Sequence, residues 1–239
     1  RAELEHVARV ATLGELTATL THELRQPLTA ILTNSHVGVR LLDAPEPDLQ
    51  QVRSTLADIC EDTEHAGEVI RWLRAMLKRD STAAGLTNVD VNNVIRIVER
   101  ITHGDAYLHK VTVHLDLSSD VPPVKGDSVQ LQQVILNLML NAFSAMSGTG
   151  LDGARRVVVR TNSIDGSNVL VEVQDSGTGI AAEKLESIFD PFITSKPEGL
   201  GMGLSICRSI IERHGGKISA ANNPDRGAKF SITLPVARE

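Results

Sequence analysis

Asp175-Ser176-Gly177-Thr178-Gly179-Ile180 is the stretch on which the fold of the second half of this chain turns. It follows directly on Val169–Asp175, where valines at every second position give the two-residue period of a half-buried strand. A strand ending at Asp175 delivers its carboxylate to the end of a sheet. There it can accept a hydrogen bond from an amino group such as that of adenine. The glycines allow a backbone to approach a ligand closely. Taken alone, the same residues also describe an ordinary Asp-Gly turn.

Outward from this stretch the pattern predicts a mixture of helices and hairpins. Arg156–Asn162 is strand-like and reaches Val169 through Asp165-Gly166, a hairpin turn pair. Val111–Leu117 alternates as a strand, and Lys217–Ala221 and Ala228–Leu234 close the chain as two more, with Pro235 behind them. Val91–Ile101, the strongly apolar Gln130–Met146 and Ile206–His214 have helical periods, the last stopping at Gly215-Gly216. Such a mixture predicts an α+β sandwich with helices on one face of a sheet.

Two further clusters fall on this frame. Asn137 and Asn141 are four residues apart, so they share one face of an otherwise apolar helix. Amide oxygens suit a hard cation such as Mg²⁺, which takes its remaining oxygens from water and phosphates. Such a pair is equally satisfied by nearby backbone. Gly199-Leu200-Gly201-Met202-Gly203-Leu204 opens the next helix, where glycine amides form an anion site or merely a cap. No Gly-Lys-Ser/Thr of a P-loop follows, and no GxGxxG dinucleotide unit is present. Between the clusters, Phe189-Asp190-Pro191-Phe192-Ile193-Thr194-Ser195-Lys196 offers hydroxyls and one amine to phosphate.

The first 80 residues have a different period. Two long helices are predicted, separated by the turn-rich Asp43-Ala44-Pro45-Glu46-Pro47-Asp48. The second carries a heptad seam through Leu49, Val52, Leu56, Ile59, Thr63, Ala66, Ile70, Leu73 and Leu77. The first carries Leu13, Leu16, Leu20 and Leu24 on one face. One hairpin covers two such stripes poorly, whereas two hairpins cover them as a four-helix bundle, so residues 1–80 are expected to form a homodimer. Residues 81–88 are small and polar and are expected to be a linker, leaving 89–239 as the second domain.

Composition narrows the function classes. The net charge of -6 argues against a nucleic-acid binder driven by phosphate contacts. Aromatic residues make up only 3%, so the cores must be aliphatic. Cys60 and Cys207 have no paired spacing and are expected to be reduced core thiols in a cytoplasmic setting. No apolar run reaches the roughly 18 residues of a membrane span. The chain begins at Arg1 and is expected to be a fragment of a longer protein.

In order and spacing, Asn137/Asn141, Asp175-x-Gly177-x-Gly179, Phe189-x-Pro191-Phe192 and Gly199-x-Gly201-x-Gly203 resemble the N-box, first glycine box, F-box and second glycine box of histidine kinase catalytic domains. That ATP-binding fold is shared with DNA gyrase B and the ninety-kilodalton heat-shock chaperone. The resemblance covers residues 88–236. It implies that Asn141 ligates Mg²⁺ with Asn137 in support, and that Asp175 reads adenine. It also implies that Gly177, Gly179, Ile180, Phe192, Thr194, Ser195, Gly199, Leu200, Gly201, Met202, Gly203 and Leu204 surround the ATP. Residues 181–198 would form a lid. Many members carry a lysine three residues after the second asparagine; here that residue is Ser144, which leaves Lys196 as the cation for the terminal phosphates.

Thr21-His22-Glu23-Leu24-Arg25-Gln26-Pro27-Leu28 resembles the phosphoacceptor box of the same family. His22 is nine residues beyond Leu13, about 180° around a helix from the leucine stripe, and is expected to face solvent. An imidazole with its ordinary pKa of about 6.5 is largely neutral and nucleophilic at cell pH. Glu23 is expected to orient the ring and take its proton. Gln26, on the same face, is expected to position water for dephosphorylating a partner. The resemblance implies that phosphate passes from His22 to an aspartate of a response-regulator receiver domain, under control of an N-terminal sensor domain. The two rival readings are an ATP-driven machine of the gyrase kind and a non-enzymatic docking module.

Overall fold

The computed structural model describes residues 24–25, 27–77, 86–147, 154–193 and 201–237. These fall into two compact units, one within Leu16–Leu77 and one within Lys78–Glu239.

The first unit is a helical hairpin. Helix α1 runs over residues 27–42, and α2 is Leu49–Leu77. Asp48 starts α2 by accepting hydrogen bonds from the Gln50 and Gln51 N–H groups, both at 3.0 Å on Oδ1. This satisfies two of the donors that every helix start leaves open. Val52, Thr55 and Ala66 are buried, and Gly38 of α1 lies near Thr55. The expected seam is only half covered within one chain: Leu49 is 69% exposed and Leu56 54%. Leu28, Leu32, Val39 and Leu42 of α1 are exposed as well. Cys60 is also exposed, against the expectation of a core thiol; Cys207 is buried as expected. Among the described residues, no helix is long and apolar enough to cross a membrane.

The second unit begins earlier than its composition suggests. Thr87 and Asn88, expected in the linker, belong to strand β1 (Thr87–Val89), which pairs antiparallel with β3 (Val124–Gly126). Val124 also bridges to Val236, so the start and end of this unit are stitched together. The main sheet has five strands: β2 (Thr112–Leu117), β4 (Arg156–Ile164), β5 (Asn168–Asp175), β6 (Lys217–Asn222) and β7 (Ala228–Pro235). Their order is β2-β4-β5-β7-β6. Only the β2–β4 pair is parallel. The hairpin turn between β4 and β5 falls on Asp165 and Gly166, both at positive φ (52° and 60°), as a tight turn of this kind requires.

Helices α3 (Val91–Ile101), α5 (Ser128–Ala145) and α6 (Gly203–Arg213) build the helical layer, with a short α4 at His103–Leu108. Aspartates cap α3 and α5: Asp90 accepts from Asn93 N–H, and Asp127 from Val129 and Gln130 N–H. Val91, Val94, Ile95, Val98 and Ile101 recur at helical spacing and are all buried. α3 packs against α5, and α5 lies on a sheet in which Val169, Val171 and Val173 of β5 and Phe230, Ile232 and Leu234 of β7 are buried. The resulting core is aliphatic, as the composition required. A buried polar tie fixes its edge: Thr161 donates to Asn92 Oδ1 at 2.8 Å, and Asn92 donates to the Ser118 carbonyl at 2.8 Å.

Candidate functional site

Helix α5 carries two of the candidate groups. Its other faces are filled by Leu131, Val134, Ile135, Leu138, Met139 and Phe143, all buried. That leaves Asn137 and Asn141 half-buried on one stripe. Asn137 donates from Nδ2 to Cys207 Sγ at 3.1 Å across the α5–α6 contact. Asn141 Nδ2 points back to Asn137 Oδ1 at 3.5 Å. Gly203, at the start of α6, lies so close that a Cβ there would be 2.8 Å from both amide atoms of Asn137. A side chain at this position would have to displace the Asn137 carboxamide.

The other end of α5 holds the turn after β5. The Ala145 carbonyl accepts from Thr178 N–H at 3.4 Å, and a Cβ on Gly177 would strike that same carbonyl at 2.8 Å. One helix thus bears the amide pair and anchors the Asp175–Ile180 turn.

Asp175 ends β5 and is buried. Its Oδ1 accepts from Gly177 N–H at 2.7 Å and from Ala228 N–H at 3.2 Å. Burial pushes its carboxyl above the ordinary value, and the two N–H bonds oppose that shift. With Oδ1 doubly engaged, Oδ2 is the acceptor left for a ligand donor. A neutral amino group fits this socket better than a second carboxylate would.

The β6–β7 hairpin supplies contacts that the sequence did not announce. Asn223 Nδ2 donates to the Asp175 carbonyl at 2.8 Å. Arg226 donates from Nε to the Gly177 carbonyl at 3.3 Å. Gly227, at φ 90°, sits where any Cβ would collide with the Asp175 carbonyl. Asn222 holds both backbone groups of Ile180, each at 2.7 Å. The one available signal was a pair of amides beside a turn glycine, since their partners lie more than 40 residues away.

The expected lid, residues 181–198, is corrected in its first part. Ala182–Lys184 forms a 3-10 turn, and Ile188 and Phe189 are buried. Phe189 packs edge-to-face on Phe230, ring centres 6.4 Å apart. Beyond it, Phe192 is exposed at positive φ, and its N–H bonds the Gly201 carbonyl at 3.0 Å. Gly201, also at positive φ, packs on the backbone of Phe192 and Ile193. Met202 and Leu204 flank Gly203 and are half-buried. His22, Glu23, Gln26, Thr194, Ser195, Lys196, Gly199 and Leu200 lie outside the described residues.

Among the described residues, no three His, Cys, Asp or Glu side chains group into a metal cage. Neutral amide oxygens fit a cation that shares its coordination with phosphates, as Mg²⁺ does.

Comparison with known proteins agrees with this geometry. Residues 126–238 match the family described as histidine kinase-, DNA gyrase B-, and HSP90-like ATPase, and residues 12–82 match the His Kinase A (phospho-acceptor) domain. The sensor histidine kinase TmoS of Ectopseudomonas mendocina is 34% identical over 98% of this chain. The chain spans 24% of that protein's length, and less than half the length of other such relatives. The solved catalytic domain of histidine kinase ThkA is 31% identical, with a TM-score of 0.55 over 63% of this chain and 95% of that domain. The structure of ThkA in complex with response regulator protein TrrA is 28% identical, with a TM-score of 0.55 over 98% of this chain and 65% of that one.

Proposed function

Because this chain belongs to the sensor histidine kinases of two-component systems, we propose that it phosphorylates its own His22 from Mg-ATP and passes the phosphoryl group to a response-regulator aspartate. The observation that carries this reading is the shared helix. α5 bears the Asn137/Asn141 pair and, one turn beyond Asn141, anchors the turn that follows Asp175. A nucleotide with its base on Asp175 and its phosphates toward Asn141 matches that layout.

Asp175 Oδ2 accepts from the adenine amino group and rejects a base that presents a carbonyl there. Gly177, Gly179 and Ile180 wall the base, and Gly201, Met202, Gly203 and Leu204 line the phosphate side with Gly199 and Leu200. Asn141, with Asn137 beside it, would hold the Mg²⁺ whose charge neutralises the terminal phosphates. Phe192, Thr194, Ser195 and Lys196 are assigned to the ATP by the family resemblance, Lys196 supplying the cation that Ser144 does not.

The reaction on the helical unit is a nucleophilic displacement. The unprotonated imidazole nitrogen of His22 attacks the γ-phosphorus, a P–N bond forms, and the P–O bond to ADP breaks. Glu23 takes the proton from the other ring nitrogen, leaving a neutral phosphoimidazole. Positioning and charge neutralisation supply the rate. Gln26 orients water when the regulator is dephosphorylated.

The exposed leucines of α1 and α2 support a homodimer through the hairpins. The ThkA–TrrA complex supports a receiver domain as the second partner. We place this part of the protein in the cytoplasm, downstream of a sensor domain that a longer chain would carry.

The test is labelling with γ-³²P-ATP. The chain should acquire an acid-labile, base-stable phosphate mapping to His22, and His22→Ala should bind ADP but stay unlabelled. Label on His22→Ala would overturn the acceptor assignment, and hydrolysis of ATP without any phosphoprotein would remove the kinase reading in favour of the gyrase-like one.

A further inference from the structure

We propose that Asn222 is a positioning residue for the nucleotide base. It ends β6 and is exposed, so no burial requirement accounts for its contacts. Even so, its carboxamide makes a two-point pair with the backbone of Ile180: Oδ1 accepts the Ile180 N–H and Nδ2 donates to the Ile180 carbonyl, both at 2.7 Å. This is a strand rung made by a side chain, 42 residues away in sequence. Asparagine is a poor strand residue, so local propensity does not favour it here either.

What the pair fixes is the far end of the Asp175–Ile180 turn. The near end is held by the neighbouring residue: Asn223 bonds the Asp175 carbonyl, and Ala228 N–H bonds Asp175 Oδ1. Both ends of the turn are thereby fastened to one hairpin. Between them, Gly179 sits at φ 75° with its α-carbon against Asn222, where a Cβ would be 2.9 Å from Oδ1. From the other side the turn's backbone is held by the Arg156 carbonyl on Ser176 N–H at 3.1 Å and the Ala145 carbonyl on Thr178 N–H at 3.4 Å, and among the described residues neither reaches Gly179 or Ile180. Releasing Asn222 leaves Gly179 and Ile180 without their contact to the sheet, next to the carboxylate oxygen that reads the base. Asn222 therefore acts through Ile180 and Gly179, and it touches neither nucleotide nor phosphate. This inference rests on the reading of the turn as an adenine site.

The experiment is calorimetric titration of the 239-residue chain with ADP and with IDP, whose six-position oxygen offers Asp175 no donor. The unsubstituted chain should prefer ADP. Asn222→Ala should weaken ADP by about tenfold, roughly the loss of two hydrogen bonds. It should weaken IDP far less, with the melting temperature nearly unchanged. Asn222→Asp keeps the acceptor for Ile180 N–H but sets a carboxylate against the Ile180 carbonyl, and should fall between the two. At saturating ATP the labelling rate should survive, so the loss appears in KM and not in kcat. If Asn222→Ala kept the full ADP-over-IDP preference, or lost both nucleotides alike in step with a lower melting temperature, the positioning role would be overturned and the adenine site would stand. If the unsubstituted chain bound no ADP, the adenine site itself would fall, and the clamp with it.

Discussion

Asn137 and Cys207 form one hydrogen-bonded pair, Nδ2 to Sγ at 3.1 Å, joining α5 to α6. The sulfur is wholly buried, and burial pushes its thiol up to about 12, so it stays protonated and unreactive at neutral pH. Cys60 is exposed. A thiol reagent should therefore modify one cysteine per native chain and two after unfolding in guanidinium. Cys207→Val should strand the Asn137 amide and cost about 1–2 kcal/mol, with weaker Mg-ATP binding; Cys207→Ser should retain most of both. Equal binding by the valine variant would show that the pair does not orient Asn137.

Asp175 gives the site a pH dependence of definite sign. Its carboxyl lies above the ordinary 3.8 because of burial. Adenine requires the ionised acceptor, so ADP affinity should fall as pH drops through the raised value, by up to about tenfold per unit below it. Stability moves the other way. Between the ordinary and the raised value the folded chain binds a proton that the unfolded chain does not, so this group's contribution to stability grows as pH falls. Calorimetry and urea unfolding across pH 4–7 should thus diverge at this residue. Asp175→Asn should abolish both dependences and shift preference toward hypoxanthine.

His214 tests the structure apart from the chemistry. Its Nε2 accepts from Asp127 N–H at 3.0 Å, and its Nδ1 meets the Ile210 carbonyl at 2.8 Å, which fixes a neutral tautomer with the proton on Nδ1. It is a satisfied core side chain that locks the end of α6 to the start of α5. His214→Ala should leave the half-buried Asp127 N–H without its acceptor and open a cavity, costing about 2–4 kcal/mol in urea unfolding. The folded fraction should still be labelled on His22. Loss of labelling in chains shown to be folded would contradict a purely structural role.

Leu56 and Leu32 test the dimer. Each is more than half exposed in the single chain. Leu56→Glu or Leu32→Glu should convert a sedimenting dimer to monomer without melting the catalytic unit, because in a symmetric bundle a charge at the seam would meet its own copy. An unchanged sedimentation coefficient would place the interface elsewhere.

Much of the architecture could be read from the residues. Where a period ran for eight residues or more, as in Val91–Ile101 and Asn168–Asp175, expectation and structure agree closely. The missed strands share one physical cause, shortness. Thr87–Val89 and Val124–Gly126 are three residues each, too few to display a period, and they are strands only because they pair with each other. In the candidate site, Asp175 and the asparagines were legible because they stand on such periodic elements. Asn222, Asn223 and Gly227 were not, since their partners come from β5 and the turn beyond it. Phe189 falls in the lid that the family resemblance implies, yet its ring packs in the core on Phe230, a partner on β7 that no local pattern connects to it.

The ribbon of Val89, Val124 and Val236 has a mechanical consequence. It adjoins the first residue of α5, whereas Asn141 lies thirteen residues further along that rod, roughly 20 Å away at 1.5 Å per residue. A tug delivered through residue 86 therefore lands on backbone rungs, remote from the cradle. Load taken at that edge falls on paired backbone and spares the amides.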